Sequence, residues 1–406
     1  MFALETRIVW IAALVQLVNL VDFMMVMPLG PDISKDLPIV NADIGIICGC
    51  YTLAVGFSGI VCAKFLDAFD RKKVAIVAVF GLSFSTLAVT FCWNLPTMIA
   101  GRILAGFFGG PAAAIAFSMV CDVVPVERRG KAMAVVMGMF SVASIAAIPF
   151  ALELAQRGTW KTPFYGISLL GFFVLYLIVQ FTPSMKQHLT GNHQSPSLVT
   201  LIFHKKYLLA FFMMGTAMVS SYAIIPNISA YFQLNLGFPR SSLSLLYFVG
   251  GIFSLILIQI GGRASDAIGP IPTNILGTLL LVLFLYDGFM HPPISTLLII
   301  FIMFMGMVCF RNISATTEAS KLPEPHERAA FMSLLSSIQH LGNGVGALLA
   351  SAILTTAPDG SLINMKWVGL LSIVTALVQP VALLFIRRSN LPREQKMEQR
   401  LLRSSS

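Results

Sequence analysis

The chain has 406 residues, of which 57% are hydrophobic and only 11% are charged, and its mean hydropathy is +0.84. So little charge cannot cover the surface of soluble domains of this total size, and the composition therefore predicts an integral membrane protein. The formal net charge of +9 does not indicate nucleic-acid binding, because the cations lie in short loops and no basic stretch is interleaved with aromatic residues.

Twelve apolar runs are each long enough to cross the roughly 30 Å hydrocarbon core of a bilayer as a helix. The first run is longer than a signal-peptide core and no small-residue cleavage site follows it, so we expect it to remain as a span. The runs are continuous rather than alternating, which excludes a closed β-barrel. The predicted spans cover residues 8–29, 42–65, 73–93, 97–121, 131–155, 162–181, 207–231, 242–261, 271–290, 294–315, 329–354 and 366–386.

Polar segments divide the chain into two halves and a tail. We predict a six-helix bundle at 1–181, a cytoplasmic linker at 182–206, a second six-helix bundle at 207–386 and a basic tail at 387–406. The tail is expected to contact anionic lipid or to be disordered. Twenty of the 27 lysines and arginines lie on one side if the N-terminus is cytoplasmic, which predicts a multi-pass inner-membrane protein with both termini in the cytoplasm.

The second half repeats features of the first at a nearly constant offset. The four-residue pattern Pro-x-Glu-Arg at 125–128 returns at 325–328, Asp-Ala at 67–68 returns at 266–267, and Pro28 is matched by Pro226. A duplicated six-helix unit predicts an all-α membrane fold of two pseudo-symmetric bundles that face each other across a central cavity. No phosphate-binding loop of the Gly-x4-Gly-Lys-Ser/Thr kind is present, so ATP is not expected as a direct energy source.

The loop after the second span carries a charged motif. Residues 63–73 read Ala-Lys-Phe-Leu-Asp-Ala-Phe-Asp-Arg-Lys-Lys, with Asp67, Arg71 and Lys72 as its charged positions. These residues resemble the Gly-x3-Asp-x2-Gly-Arg-Arg/Lys loop signature of the major facilitator superfamily. The resemblance implies a twelve-helix transporter that works by alternating access.

Two features of the spans resemble the twelve-span drug:proton antiporter branch of that superfamily. Arg102-x3-Gly106 in the fourth span is similar to the Arg-x3-Gly motif of the branch, and Asp22 is placed like its membrane-embedded acid. In the fifth span that branch has the signature Gly-Pro-x2-Gly-Gly. Residues 148–153 of this chain read Ile-Pro-Phe-Ala-Leu-Glu, so the proline, Pro149, is kept and the glycines are not. The resemblance implies proton coupling, while the direction of transport stays open.

Polar residues in the first and fourth spans are the first site candidates. Gln16, Asn19 and Asp22 recur every three residues, so they share one broad helical face that we expect to point inward. Desolvation favours the neutral form of a carboxylic acid, which makes a buried Asp22 the expected proton carrier. The alternative is a static pair with Arg102. Arg102 is expected either to be a fixed cation beside the acid or to extend to the outer interface.

The second half offers a separate set of cavity candidates. Arg311 and Glu318 lie seven residues apart on one face of the tenth span; they either pair with other helices as a gate or a substrate anchor, or Glu318 already lies at the cytoplasmic surface. Gln339, His340 and Asn343 form a polar cluster in the eleventh span, with Gln339 and Asn343 one turn apart. We expect these residues to line the cavity together with Gln16 and Asn19. Glu153 is expected either to be a gate residue or to be exposed to solvent.

Charged residues at the cytoplasmic ends of the spans are expected to form gating networks. Such a network can form fully only when the cytoplasmic side is closed, so it should favour the outward-open state. The residues assigned to it are Asp67, Arg71, Lys72, Glu127 and Arg128 in the first half and Asp266, Glu327 and Arg328 in the second.

The sequence predicts a monomeric secondary transporter rather than an enzyme. Its expected partners are a small organic or amphipathic solute, protons and membrane lipids, and a proton gradient takes the place of a cofactor. Proton-coupled efflux is the leading hypothesis, and an importer or facilitator of a small metabolite with the same fold is the alternative. A membrane-embedded hydrolase would need a nucleophile with a base or a metal motif such as His-Glu-x2-His, which the sequence lacks.

Overall fold

The computed structural model describes residues 2–66, 68–186, 201–291, 293, 296–324 and 327–404. Within these ranges the chain forms twelve long helices, α1 to α12, which follow the predicted spans in order. Their bounds are α1 Phe2–Asp36, α2 Ile44–Leu66, α3 Arg71–Val89, α4 Leu95–Val123, α5 Val126–Arg157, α6 Lys161–Phe181, α7 Lys205–Asn235, α8 Leu243–Ile268, α9 Pro270–Phe289, α10 Leu297–Ala319, α11 Arg328–Ile353 and α12 Met365–Ser404. Short 3-10 turns at Asn41–Asp43 and Arg240–Ser242 precede α2 and α8.

Among the described residues, eleven of these helices are long and apolar enough to cross a membrane by length and composition. The exception is α11, which carries the predicted polar cluster Gln339, His340 and Asn343. α11 nevertheless packs between α2 and α7 as a full-length helix. Polar side chains therefore lower its hydropathy without changing its place in the bundle.

Two of the helices are interrupted where their backbone pattern changes. α5 passes from Val126–Val142 through a π-helical segment, Ala143–Ala147, into Ile148–Arg157. α7 has a regular part, Lys205–Ile224, then a break at Pro226, then Ile228–Ala230 and a π-helical segment, Tyr231–Asn235. Proline has no N–H to donate and its ring crowds the preceding turn, which explains the break in α7. π-Helical segments widen a helix locally and often occur at functional positions.

Each half is built around one central helix. α4 packs against α1, α2 and α3 in the first half, and α10 packs against α8 and α9 in the second. The halves meet where α2 packs along α11 and α5 packs along α8. One apolar core cluster contains residues of both halves, including Met25 and Ile44 of the first and Ile224 and Phe304 of the second.

The seam between α2 and α11 is made by small residues. A Cβ atom added at Gly45 would lie 2.3 Å from Ser351 Oγ, and one added at Gly56 would lie 2.9 Å from Leu341 Cδ2. These distances are too short for a side chain, so the glycines permit the close approach of the two helices.

A two-stranded hairpin marks one end of the bundle. β1, Thr355–Thr356, pairs antiparallel with β2, Leu362–Ile363, between α11 and α12. We call this the hairpin end, which also bears Asp32 and Asn41. The opposite end bears Arg71, Lys72, Arg128 and Lys186, and we call it the basic end.

Two predicted boundaries differ from the structure. α1 continues beyond residue 29 to Asp36 through two prolines, because Leu29 and Ile33 are buried in the shared core and their packing offsets the lost hydrogen bonds. α12 continues as a helix through the predicted tail to Ser404. Of the predicted linker, residues 187–200 lie outside the described residues.

Candidate functional site

A buried ion pair joins α1 to α4. Arg102 Nη1 donates to both carboxylate oxygens of Asp22 at 3.1 Å, and Nη2 donates to the backbone carbonyl of Asp22 at 3.2 Å. The side chain of Asp22 is 0% exposed and that of Arg102 is 1% exposed. The predicted outward extension of Arg102 to the membrane surface is therefore wrong, because the acid holds the guanidinium inside the bundle.

Two further side chains complete the surroundings of this pair. Thr86 Oγ1 of α3 donates to Asp22 Oδ1 at 2.8 Å. The guanidinium carbon of Arg102 lies 4.1 Å from the centroid of the Tyr51 ring of α2, in a cation–π contact. A Cβ atom at Gly106 would lie 2.3 Å from the backbone oxygen of Tyr51, so the glycine of the Arg-x3-Gly motif lets α4 reach α2 here. Sequence reasoning did not identify Thr86 or Tyr51, which are ordinary residues in apolar helices.

An aromatic stack connects this pair to the second half of the molecule. The Phe23 ring stacks on Tyr51 with centroids 5.6 Å apart and on Tyr222 of α7 at 5.9 Å. His340 of α11 meets Phe23 edge-on at 6.2 Å. Phe23 follows Asp22 directly in α1, so the ion pair and the contact between the halves are one residue apart.

Two predicted cavity residues, Asn19 and His340, contact this stack. Asn19 Oδ1 accepts a hydrogen bond from the Tyr51 hydroxyl at 3.4 Å, and His340 contacts Phe23. Among the described residues, Gln16 Oε1, His340 Nδ1 and Asn343 Oδ1 are buried without a hydrogen-bond partner. Buried polar atoms normally find partners, so water or a solute is the expected partner for these three. Gln339 is partly buried on the same helix.

Arg311 occupies a different place from the Asp22 pair. It is fully buried within the second half, where Nη1 donates to the Ala376 carbonyl and Nη2 to the Ala217 carbonyl, both at 3.2 Å. Its Nε atom has no acceptor among the residues that the structure describes. Glu318 is also buried but forms its ion pair with Lys321 at 3.0 Å instead.

The predicted gating residues of the first half are bound mostly within that half. Arg71 Nε forms an ion pair with Asp122 Oδ2 at 3.2 Å, and Lys72 Nζ donates to the Val179 carbonyl at 2.8 Å. Arg128 forms an ion pair with Glu5 at 3.2 Å. Asp67 and the side chain of Glu127 lie outside the described residues.

Asp70 organises the loop that precedes α3. It caps this helix by accepting from the Lys72 N–H, and it also accepts from the Ser184 hydroxyl and the Met185 N–H. Burial acts to raise the pKa of Asp70, but these hydrogen bonds outweigh it and lower the pKa below its ordinary value. The loop signature has glycine where this chain has Asp70, and the capping role accounts for the acid.

The corresponding residues of the second half form fewer contacts. Glu327 accepts a hydrogen bond from the Tyr207 hydroxyl, which joins the start of α11 to the start of α7. Asp266 and Arg328 are exposed. Near the hairpin end of the first half, Glu153 pairs with Arg157 at 2.8 Å on an exposed helix surface, as expected of a solvated residue.

Polar contacts bind the two halves together at the hairpin end. Arg240 forms a two-pronged ion pair with Asp32, with Nη2 at 2.7 Å from Oδ2. Asn41 Nδ2 donates to the Gly360 carbonyl at 2.9 Å, and Ser351 Oγ donates to the Ala42 carbonyl at 2.6 Å. The structure is therefore closed at this end. These pairings could not be predicted, because each partner is an ordinary loop or helix-end residue.

Comparison with known proteins shows similarity along nearly the whole chain. The profile described as the Major Facilitator Superfamily matches residues 12–226 and again residues 210–405. An uncharacterized MFS-type transporter of Bacillus subtilis (strain 168), YtbD, is 22% identical over 350 residues, which are 86% of this chain and 88% of that protein.

Solved transporters share the fold at low sequence identity. An inward-facing, unoccupied bacterial homolog of the human lysosomal transporter Spinster superposes with a TM-score of 0.71 at 14% identity, covering 94% of this chain and 96% of that one. A D-xylose-proton symporter gives the same TM-score and identity, covering 92% and 97%. A mutant of the nucleoside transporter NupG does so as well, covering 94% and 99%.

Proposed function

Because the chain belongs to the major facilitator superfamily and is a transporter, we propose that it carries a small organic solute by alternating access, with Asp22 as the proton carrier. The observation that carries this proposal is the position of the Asp22–Arg102 pair beside the aromatic stack that joins the halves. A proton that binds there acts next to the surface that must rearrange during transport.

The proposed coupling step follows from the contacts of the pair. Protonation of Asp22 removes the charge that holds the Arg102 guanidinium at 3.1 Å, while the guanidinium keeps its own charge. Arg102 then retains the Tyr51 ring and the backbone carbonyl of Asp22 as its described partners. Tyr51 stacks on Phe23, so a shift of the guanidinium reaches the contact between the halves.

The closed hairpin end supports an alternating-access cycle. We assign this end to the outside and the basic end to the cytoplasm, since positive residues are enriched in cytoplasmic loops. In the outward-open state the Asp32–Arg240 pair has to separate. In that state we expect the cytoplasmic charges to form contacts between the halves, since the pairs present here, such as Arg71–Asp122 and Arg128–Glu5, lie within the first half.

The solute class follows from the surroundings of the stack. Aromatic rings, buried amide groups and an imidazole suit an uncharged or weakly basic molecule with both apolar and hydrogen-bonding parts. Proton-coupled efflux is the proposed direction. The similarity to a D-xylose-proton symporter keeps solute import with protons as the second candidate.

The test is solute flux in proteoliposomes under an imposed pH gradient. A solute that raises the melting temperature of the purified protein in a broad library screen serves as the substrate. Asp22→Asn should abolish gradient-driven flux and solute-dependent proton movement, whereas the exposed control Asp359→Asn should leave both unchanged. Gradient-driven flux that persists in Asp22→Asn overturns the proton role. The sign of the gradient that accumulates solute decides between efflux and import.

A further inference from the structure

An open groove runs between α1 and α6 at the basic end. Its volume is about 600 Å³, and Ile11, Leu14 and Leu177 form its apolar floor. Trp10 and Phe181 border it and are 54% and 46% exposed, respectively. The groove lies on the outer surface of the first bundle, apart from the site around Asp22.

The charged residues beside the groove are positive. Arg7 lines it, and Lys72 Nζ binds the Val179 carbonyl of α6, two residues before Phe181. Glu5, the nearest acid in α1, is already paired with Arg128 at 3.2 Å. No acidic side chain is among the described residues that line the groove.

The dimensions and chemistry of the groove fit a lipid. From Arg7 to Leu14 the helix rises roughly 10 Å, so an apolar chain can lie along the floor while a head group remains at Arg7. Tryptophan is enriched at the level of lipid head groups, and Trp10 lies one turn from Arg7 on α1. Basic pockets between helices on the cytoplasmic side are suited to anionic lipid head groups.

We infer that this groove binds an anionic phospholipid of the cytoplasmic leaflet, with its phosphate at Arg7 and an acyl chain along Ile11, Leu14 and Leu177. Charge complementarity selects an anionic lipid over a zwitterionic one, because Arg7 lines the groove and none of its described lining residues is acidic. The inference does not depend on proton coupling, and its test measures binding rather than transport.

The experiment uses quenching of tryptophan fluorescence by brominated lipids. The full-length protein is reconstituted in phosphatidylcholine vesicles that contain equal small fractions of either brominated phosphatidylglycerol or brominated phosphatidylcholine. The fluorescence of Trp10 is obtained by subtracting the fluorescence of Trp10→Phe from that of the wild type. From the quenching of Trp10, we expect the groove to bind brominated phosphatidylglycerol roughly fivefold more tightly than brominated phosphatidylcholine. This ratio is the effect of about one cation near the membrane surface.

Two variants and one internal control sharpen this test. Arg7→Gln should remove the preference, and Arg7→Lys should retain most of it. Trp93, which is 67% exposed at the hairpin end and does not line the groove, should show no comparable preference. Equal quenching by both lipids overturns the inference. So does absence of quenching by either lipid, which indicates that another part of the chain covers the groove. Loss of the preference on adding inorganic phosphate also overturns it, because the site would then bind free anions.

Discussion

Asp32 and Arg240 are 208 residues apart in the sequence, yet their side chains form a two-pronged ion pair that joins α1 to the start of α8 at 2.7 Å. Each side chain is 20% exposed. The pair therefore connects the two halves at the end that is closed in this structure.

Breaking this pair should favour opening of the hairpin end. Asp32→Asn removes the charge attraction, which contributes about 1 kcal/mol for a partly exposed pair. The expected result is severalfold faster labelling of a cysteine introduced at buried Ala230 by a membrane-impermeant maleimide. Glu153→Gln, which breaks an ion pair within one half, is the matched control and should leave the rate unchanged. An unchanged rate in Asp32→Asn contradicts the gating role.

The Asp22–Arg102 pair should show strong energetic coupling. Asp22→Ala leaves a buried guanidinium without its counter-ion, which costs about 3–5 kcal/mol. The double variant Asp22→Ala/Arg102→Ala should lose less stability than the sum of the two single variants. Thermal unfolding in detergent measures the cycle, with Thr86→Val as a milder reference at about 1 kcal/mol. Additive losses mean that the two side chains are not coupled.

The ring of Phe23 should keep the two halves in contact. Phe23→Leu retains an apolar side chain but removes two stacking contacts, each contributing about 0.5–1.5 kcal/mol beyond burial. We expect a higher proton leak into vesicles in the absence of solute, measured with a pH-sensitive dye. Phe150→Leu, at an exposed position of α5, provides the control. Equal proton leak in Phe23→Leu and Phe150→Leu would show that the aromatic stack does not seal the contact between the halves.

Asp70 should make stability depend on pH. Its pKa is lowered from 3.8 in the folded protein, so its charged form stabilises the fold above the unfolded value and this contribution is lost as the pH falls through the folded pKa. Asp70→Ala should cost about 1 kcal/mol at neutral pH through loss of the helix cap. The difference in melting temperature from the wild type should shrink as the pH falls below 3.8. A difference that is constant with pH contradicts the charged cap.

Arg311 should be dispensable for folding but needed for transport if it anchors substrate. Arg311→Met keeps the length of the side chain but leaves the Ala217 and Ala376 carbonyls without this donor, so the protein should fold with a stability loss of about 1–3 kcal/mol. Solute flux in proteoliposomes should fall at least tenfold. Retained flux in a stable Arg311→Met variant assigns this residue to packing alone.

Much of the fold follows from the sequence because lipid imposes simple requirements. Each span needs a long apolar run, and the repeated motifs gave the division into two halves. The twelve predicted helices are present, eleven of them apolar enough among the described residues to cross a membrane, and the membership of the superfamily is confirmed. The helix ends were less predictable, since packing of Leu29 and Ile33 extends α1 past two prolines.

The site was predictable only in part, for a physical reason. Asp22 and Arg102 stand out because a charge within a span is costly. Their neighbours Thr86 and Tyr51 carry no such cost, and contacts between residues far apart in the chain leave no local pattern. For the same reason the partners Glu5 and Asp122 of the basic end could not be assigned from sequence.

The glycine seam between α2 and α11 has a mechanical consequence. Gly45 and Gly56 bring the two backbones close together, so one helix can pivot on the other only if facing side chains such as Leu341 and Ser351 move with it. The two bundles can therefore rock about the α2–α11 seam. The contacts that join the halves at the hairpin end also resist rocking, so the turnover rate should respond more to substitutions of Asp32 or Arg240 than to conservative changes along the α2–α11 seam.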